Sequence, residues 1–198
     1  MPLGRCREPF DHPEWVYELK LDGFRALAYV EDGTTRLVSR NGHSYKSFGP
    51  LCTELARTVR ATAAVLDGEV ACLGDDGRPA FDALLYRRAL PHFCAFDLLW
   101  LEGEDLRERT LVDRKRLLRR IIPRGLGWVR YVPHVRGRGS ELFRLACELD
   151  LEGVVAKWAP SPYRLVGEGS PWLKIKNREY TPAHDRHELF DGFRRRAG

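Results

Sequence analysis

The chain has 198 residues, 43% hydrophobic and 31% charged, which is typical of one globular domain with small extensions. Its net charge of +5, from 33 basic and 28 acidic residues, permits a polyanionic partner without requiring one. No apolar run approaches the roughly 18 residues of a membrane-spanning helix, and the N-terminus lacks a signal peptide's hydrophobic segment, so we expect no membrane association. Five scattered cysteines without metal-binding pairs favour a reducing, cytoplasmic compartment.

The predicted elements begin after an irregular, proline-containing lead-in at residues 1–14. Two strand-like runs flank the sequence Glu18-Leu19-Lys20-Leu21-Asp22-Gly23-Phe24-Arg25, and its Asp-Gly pair predicts a tight turn between them. A hairpin turn at Glu31-Asp32-Gly33 leads into the next strand. The later predicted elements are strand Thr35–Ser39, helix Thr53–Ala64, strand Val65–Leu73, short helix Phe81–Arg88, strand His92–Leu101, helix Thr110–Ile122, strand Trp128–Val135, a helix from Ser140 to about Leu149, and strands Val154–Trp158 and Trp172–Lys176.

Strands dominate this series, and the helices between them follow no regular βαβ order. The pattern therefore predicts an α+β fold with antiparallel sheets. In the helix predicted at residues 110–122, leucines and isoleucines form the inward face and the arginines point outward. The basic cluster Arg114-Lys115-Arg116 on that helix is expected to be a solvated face, or part of a nucleic-acid footprint. Ser140 is predicted to cap the N-terminus of the following helix.

The first turn carries the residues that most suggest chemistry. A lysine against an apolar strand end loses hydration, which favours its neutral and nucleophilic form, so Lys20 is a candidate nucleophile. Arg25 keeps its charge in any environment and suits a phosphate or carboxylate partner. Taken alone, the octet is more typical of a surface hairpin with alternating charges.

Lys20-Leu21-Asp22-Gly23-Phe24-Arg25 resembles the nucleotidyltransferase motif of ATP-dependent DNA ligases, RNA ligases and mRNA capping enzymes. Further motifs of that family follow in the same order, over about 160 residues. They are Ser39-Arg40-Asn41-Gly42, Leu66-Asp67-Gly68-Glu69, Phe96-Asp97-Leu98-Leu99, Leu151-Glu152-Gly153-Val154-Val155-Ala156-Lys157 and Trp172-Leu173-Lys174-Ile175-Lys176. The resemblance is strongest to the adenylation domains of bacterial end-joining ligases, because the chain also contains Ser161-Pro162-Tyr163-Arg164.

The resemblance implies an α+β fold of two antiparallel β-sheets flanked by helices, the ATP-grasp-like nucleotidyltransferase domain of DNA ligases, with the nucleotide between the sheets. It implies that Lys20 attacks the α-phosphate of ATP to form lysyl-AMP. The nucleotide-binding residues that it implies are Glu18, Arg25, Arg40, Glu69, Phe96, Glu152, Lys157, Lys174 and Lys176. Among them, Glu18 and Phe96 would contact adenine, and Glu69 and Glu152 would help to place Mg²⁺ or Mn²⁺. Lys174 and Lys176 would lie against the α-phosphate and help to lower the pKa of Lys20.

The resemblance also suggests a domain organisation: the lead-in at 1–14, an adenylation domain at 15–178 and a tail at 179–198. Only 22 residues (198 minus 176) follow Lys176, which is too few for the OB-fold domain that usually comes next in ligases. We therefore expect that domain to be absent from this sequence, and the isolated domain to load AMP slowly and to bind DNA weakly. Expected partners are nicked or broken double-stranded DNA, a separate OB-fold domain and end-joining proteins.

Two alternatives remain open at this point. An RNA ligase or capping-type guanylyltransferase shares the lysine motif but differs in acceptor and base preference. A noncatalytic nucleic-acid-binding module could retain the same fold, although the presence of Lys20, Glu69, Glu152, Lys174 and Lys176 argues against it.

Overall fold

The computed structural model describes residues 1–74, 84, 89–125, 127–167 and 169–180, and the described residues form two β-sheets and three α-helices. The strands are β1 (Gly4–Arg5), β2 (Trp15–Leu19), β3 (Phe24–Glu31), β4 (Thr34–Ser39), β5 (Ala63–Cys72), β6 (Pro91–Leu101), β7 (Glu104–Asp105), β8 (Val129–Tyr131), β9 (Val135–Arg136), β10 (Gly153–Trp158) and β11 (Trp172–Lys176). The helices are α1 (Gly49–Thr58), α2 (Leu111–Ile121) and α3 (Gly139–Glu148), with a short 3₁₀ turn at Lys46–Phe48. The helix predicted at 81–88 and most of the tail predicted at 179–198 lie outside the described residues.

The two sheets have the strand orders β1-β11-β10-β2-β9 and β4-β3-β5-β6-β7, and β8 also pairs with β6 in the second sheet. All pairs are antiparallel except β1 with β11 and β6 with β8. The α+β prediction is confirmed, with these two parallel exceptions. One exception involves the predicted lead-in, which is not wholly irregular because residues 4–5 form the edge strand β1.

The tight turn predicted after Lys20 does not join two paired strands. β2 lies in the first sheet and β3 in the second, so residues 20–23 cross from one sheet to the other. The crossing is narrow at Gly23, where an added Cβ would lie 2.2 Å from the carbonyl oxygen of Val70. Only glycine fits this position without moving the backbone. The Asp-Gly pair therefore serves a close approach between the sheets, and the motif lysine lies at the junction.

Each sheet has its own core. The second sheet packs one face on α1 and α2 around Leu51, Leu55, Leu66 and Leu118, which are all buried. The first sheet packs one face on α3 in a smaller cluster that includes Ala146. A third cluster contains Val16, Leu111, Ala159 and Trp172. The partly buried residues Phe96 and Tyr163 pack against this cluster. Because Phe96 belongs to β6, this third cluster brings the two sheets into contact.

The predicted outward arginine face of α2 is wrong at two positions. Thr110 caps the helix by accepting a hydrogen bond from the Asp113 N–H. Arg114 is fully buried, where it donates two hydrogen bonds to Asp97, at 2.8 and 2.9 Å. Lys115 is also buried and forms an ion pair with Glu18. These partners explain why Arg114 and Lys115 are not exposed as predicted, because a buried cation is stable only where acceptors surround it. Leu118, Ile121 and Ile122 are buried as predicted.

Several boundaries also differ from the predictions. α1 begins at Gly49 with Pro50 in its first turn, four residues before the predicted start. Ser140 lies inside α3 rather than at its N-cap, which is Arg138. The strand predicted at 128–135 is two short strands that belong to different sheets. The hairpin between β3 and β4 is as predicted, with positive φ angles of 47° at Asp32 and 75° at Gly33.

Within the described residues, no helix combines the length and the apolar character that crossing a bilayer requires.

Candidate active site

A cleft with an empty volume of about 460 Å³ lies between the two sheets. Six of the predicted site residues line it: Glu18, Lys20, Arg25, Glu69, Phe96 and Lys157. They come from five strands and from the link between the sheets, so only the folded chain brings them together. Trp172, which the sequence reading did not single out as a site residue, lines the same cleft.

Strand alternation places the basic residues of the first sheet on one face. Val155 of β10 pairs with Glu18 on one side and with Lys174 on the other. Since residues two apart on a strand share a face, Lys176 lies on the same face as Lys174. The opposite face is apolar: Ile175 of β11 packs with the core that contains α3. The cleft thus faces the charged side of the sheet.

Lys20 is the first residue of the link between the sheets, and contacts to the start of β10 hold it in place. Its backbone N–H donates to the Gly153 carbonyl at 2.9 Å, and its ammonium group forms an ion pair with Glu152. The same carboxylate accepts an ion pair from Lys176 at 3.1 Å. Glu152 is 6% exposed, whereas the Lys20 side chain is 16% exposed. The charge nearest to Lys20 is therefore an acid, and attack by Lys20 requires its amine to leave this ion pair.

Deeper in the cleft, Glu18 is buried between two ammonium groups. Lys115 contacts one carboxylate oxygen, and Lys157 contacts the other at 2.6 Å. Burial alone would raise the pKa of Glu18, but the two lysines hold that pKa below its ordinary value. Burial also lowers the pKa of Lys157 to about 8, against the opposing effect of Glu18.

An aromatic pair lines the same part of the cleft. Phe96 and Trp172 meet edge to face with centroids 5.9 Å apart, and the Lys157 ammonium lies 4.2 and 4.1 Å from their ring centres. Phe96 has no partner on β5 because the register shifts there: Asp67 pairs with Asp97, and Gly68 with Ala95. A bulge of this kind re-aims a side chain. Phe96 therefore lies in the cleft, as predicted for an adenine-contacting ring, but cations already contact its ring.

Arg25 is fixed by Asp67 of β5. The guanidinium donates to both carboxylate oxygens, at 3.1 and 2.6 Å, and to the Met1 carbonyl at 2.6 Å. Tyr163 donates a further hydrogen bond to Asp67 at 2.7 Å. Burial would lower the pKa of Arg25, but Asp67 raises it above the ordinary value. This fork-to-fork pair leaves Arg25 charged and fixed in orientation at the edge of the cleft.

Glu69 faces Lys20 and Arg25 from β5, but it forms no ion pair or hydrogen bond with any described residue. Burial raises the pKa of its carboxyl to about 8, and Asp67 and Glu152 add to this effect. Within the described part of the chain, no three His, Cys, Asp or Glu side chains form a metal-binding group. Glu69 has no ion-pair partner among the described residues and lies near Glu152. Two nearby carboxylates suit a divalent ion that is held mainly by the phosphates of the substrate.

The remaining predicted residues surround the cleft. Arg40 is exposed and lines an adjoining cleft, which shares Arg25 with the first one. Burial lowers the pKa of Lys174, and the nearby Arg5, Lys176 and Lys20 lower it further. The cluster of cations that the lysine spacing predicts is therefore present at this end of the sheet.

Sequence reasoning missed Lys115 and the roles of Asp67 and Tyr163. Lys115 lay in a basic run whose composition is typical of a solvated face, and no local signal distinguishes it from Arg116. Asp67 belongs to a quoted motif, so the signal was present, although its partner Arg25 lies 42 residues earlier.

Comparison with known proteins agrees with this geometry. The family model described as "ATP dependent DNA ligase domain" matches residues 6–176. The multifunctional non-homologous end joining protein LigD of Pseudomonas aeruginosa is 36% identical over 171 residues, which are 82% of this chain and 20% of that protein. The SPbeta prophage-derived DNA ligase-like protein LigB of Bacillus subtilis is 32% identical over 187 residues, 91% of this chain and 68% of that protein.

A solved structure of mycobacterial DNA ligase D, complexed with ATP and MES, superposes with a TM-score of 0.73 at 27% identity, over 89% of this chain and 60% of that one. The chain spans about a fifth of the Pseudomonas relative and about two thirds of the Bacillus relative. A family match over most of the chain and a relative matched along most of its own length lead to one conclusion: the chain belongs to the ATP-dependent DNA ligase domain family.

Proposed function

We propose that this chain is the adenylation domain of an ATP-dependent DNA ligase, with Lys20 as the nucleophile. The observation that carries the proposal is the position of Lys20, which lines the cleft between the sheets beside Glu152. Lys174, Lys176 and Arg25 lie around it and suit the phosphates of a nucleotide. Phe96, Trp172 and Glu18 line the more buried part of the cleft and suit its base.

In the proposed first step, the Lys20 amine attacks the α-phosphorus of ATP. A P–N bond forms, the bond from the α-phosphorus to the bridging oxygen breaks, and pyrophosphate leaves with that electron pair. The Lys20 ammonium loses one proton before the attack, which the Glu152 carboxylate in contact with it passes on to solvent, and the nitrogen releases a second proton to solvent once the P–N bond has formed. In the second step the AMP passes to a 5′-phosphate, and in the third a 3′-hydroxyl displaces AMP and seals the strand.

A bound Mg²⁺ or Mn²⁺ would neutralise the phosphate charge that develops on the leaving group. Glu69 and Glu152 are the residues that we expect to hold it. Once Lys20 left its ion pair, one oxygen of the Glu152 carboxylate would be available to the cation. The positive charge of the cation would also favour loss of the Glu69 proton, so that both carboxylates could bind it.

We propose nicked or broken double-stranded DNA as the acceptor. Support comes from the names of the relatives, which are end-joining proteins and a DNA ligase-like protein. The exposed arginines of α2, Arg116, Arg119 and Arg120, could contact phosphates. End-joining proteins and an OB-fold domain are proposed partners, and the cytoplasm is the proposed location, consistent with five free thiols.

The test is incubation with α-labelled ATP and Mg²⁺, followed by denaturing electrophoresis. We expect a covalent label on the wild type and on Lys46→Ala, a matched control at an exposed lysine, and none on Lys20→Ala. Labelling of Lys20→Ala would refute the assignment of the nucleophile. If the wild type is not labelled, a pre-adenylated nicked DNA is supplied, and failure to seal it would refute the ligase function.

The acceptor and the base are tested in the same assay. Labelling by GTP in preference to ATP would indicate a capping-type enzyme, and sealing of an RNA nick in preference to a DNA nick would indicate an RNA ligase. Binding of nucleic acid without labelling or sealing would indicate a noncatalytic module.

A further inference from the structure

Lys115 is a buried cation that the proposed chemistry does not use. It lies on α2, is 1% exposed, and belongs to a helix that packs on the second sheet. Burying an ammonium group is unfavourable unless acceptors replace its water. The hydrogen-bond acceptors of Lys115 therefore indicate its role in the structure.

The acceptors of Lys115 come from three separate places. The ammonium contacts Glu18 on β2 of the first sheet, the Phe96 carbonyl on β6 of the second sheet at 3.3 Å, and the carbonyl of Val132 just after β8 at 3.2 Å. It also lies 4.7 Å from the centre of the Tyr131 ring. One ammonium group thus joins both sheets behind the cleft.

All three acceptor residues line the cleft between the sheets. Lys115 itself does not line it, so the side chain acts from behind the wall. Two of its contacts are to backbone carbonyls, which fixes the main chain at Phe96 and Val132 as well as the carboxylate of Glu18. The wall that Lys115 holds includes the buried residues Glu18 and Val132, whereas Lys176 is exposed.

The helix presents Lys115 rigidly. The preceding residue, Arg114, is bonded to Asp97 and to the carbonyls of Arg109 and Ser161 at 2.6 and 3.0 Å. Thr110 caps the first turn. Since the helix is anchored at its cap and at the residue before Lys115, the fold sets the position of the ammonium group.

We propose that Lys115 is a positioning residue for the base of the bound nucleotide, acting through Glu18 and the Phe96 backbone. The inference rests on the proposed function for the identity of the ligand. Loss of Lys115 frees Glu18 to turn toward Lys157 alone and loosens the bulge that carries Phe96. Nucleotide binding weakens, whereas the chemistry at Lys20, whose ion pair with Glu152 does not involve Lys115, is retained.

The experiment compares Lys115→Met with Glu18→Gln and with the double variant, using Lys46→Met as the control at an exposed lysine. The rate of labelling by α-labelled ATP is measured against ATP concentration. For Lys115→Met we expect the half-saturating ATP concentration to rise about tenfold or more, the usual effect of a lost bond to a charged group. We expect the saturated rate per folded molecule to change by less than about threefold.

The double variant separates positioning from folding. Because Lys115 acts in part through Glu18, we expect the half-saturating concentration of the double variant to rise by less than the product of the two single-variant factors. Additive effects of the two substitutions would overturn the inference. So would a Lys115→Met protein with wild-type half-saturation and only a lower saturated rate, because that is the result of a smaller folded fraction.

A binding measurement keeps the inference distinct from the proposed function. Quenching of tryptophan fluorescence by ATP and Mg²⁺ reports occupancy of the cleft that Trp172 lines, without any reaction. If the wild type binds ATP but is neither labelled nor able to seal a pre-adenylated nick, the proposed function fails, and a tenfold weaker Kd for Lys115→Met still supports the inference. Equal Kd values for both proteins, or no binding by the wild type, overturn it.

Discussion

The buried ion pair between Arg114 and Asp97 gives the most direct prediction of stability. Both side chains are fully buried, and the Arg114 guanidinium donates two hydrogen bonds to Asp97 and two to backbone carbonyls. Arg114→Met removes all four and leaves the Asp97 charge with the N–H of Leu98. Leaving one member of a buried pair alone costs about 3–5 kcal/mol.

That loss is a large part of the total free energy of unfolding, which is about 5–15 kcal/mol for most domains. At about 2–4 °C per kcal/mol for a chain of this size, Tm should fall by about 6–20 °C. Urea unfolding followed by circular dichroism gives the free energy, and calorimetry gives Tm. The control is Arg116→Met on the same helix, whose side chain is 65% exposed and whose ion pair with Asp113 contributes at most about 0.5 kcal/mol.

The double variant Arg114→Met/Asp97→Asn should recover part of the loss, because it removes the unpaired charge. The reasoning would be refuted if Arg114→Met lost less than about 1 kcal/mol while DNA binding fell, since that is the behaviour of an exposed DNA contact.

Three further predictions concern the cleft. Because burial raises the pKa of Glu69 to about 8, the folded protein keeps a proton between about pH 4.5 and 8 that the unfolded chain has released. Stability should therefore fall as pH rises through that range, and Glu69→Gln should flatten a plot of Tm against pH; an unchanged slope would contradict the prediction. Gly23→Ala places a Cβ 2.2 Å from the Val70 carbonyl oxygen and so displaces the link that carries Lys20. ATP labelling per folded molecule should therefore fall by about 100-fold or more. Undiminished labelling would show that the link tolerates a side chain at this position. Tyr163→Phe removes one hydrogen bond to Asp67, which should lower the free energy of unfolding by about 1 kcal/mol in urea titrations. A loss above about 3 kcal/mol would mean that the ion pair between Arg25 and Asp67 had broken too.

Sequence patterns were sufficient to locate most strands. Strongly apolar runs such as His92–Leu101 correspond closely to a strand, here β6 at Pro91–Leu101, because burial on both faces selects such residues. These patterns do not show which strands pair with each other. The runs on either side of Lys20 are typical of a hairpin, and only tertiary pairing shows that they enter different sheets.

The candidate site was predictable in part, through motifs rather than periodicity. Six predicted residues line the cleft, and Glu152 and Lys176 contact each other next to it. Burial of cations was not predictable, because it depends on acceptors distant in the chain. Glu18 lies 97 residues before Lys115, so a reading of the helix alone leaves that lysine in solvent. The roles of individual site residues remain predictions until the variants are measured.

The first sheet ends on both sides in strands of two residues, β1 and β9. Each carries an exposed arginine, Arg5 and Arg136, next to the open backbone groups. Short, charged borders offer little surface for a strand from another molecule to extend the sheet. The sheet that presents Lys20 is thereby protected against intermolecular strand addition, so a high concentration of this protein need not lead to aggregation through that sheet.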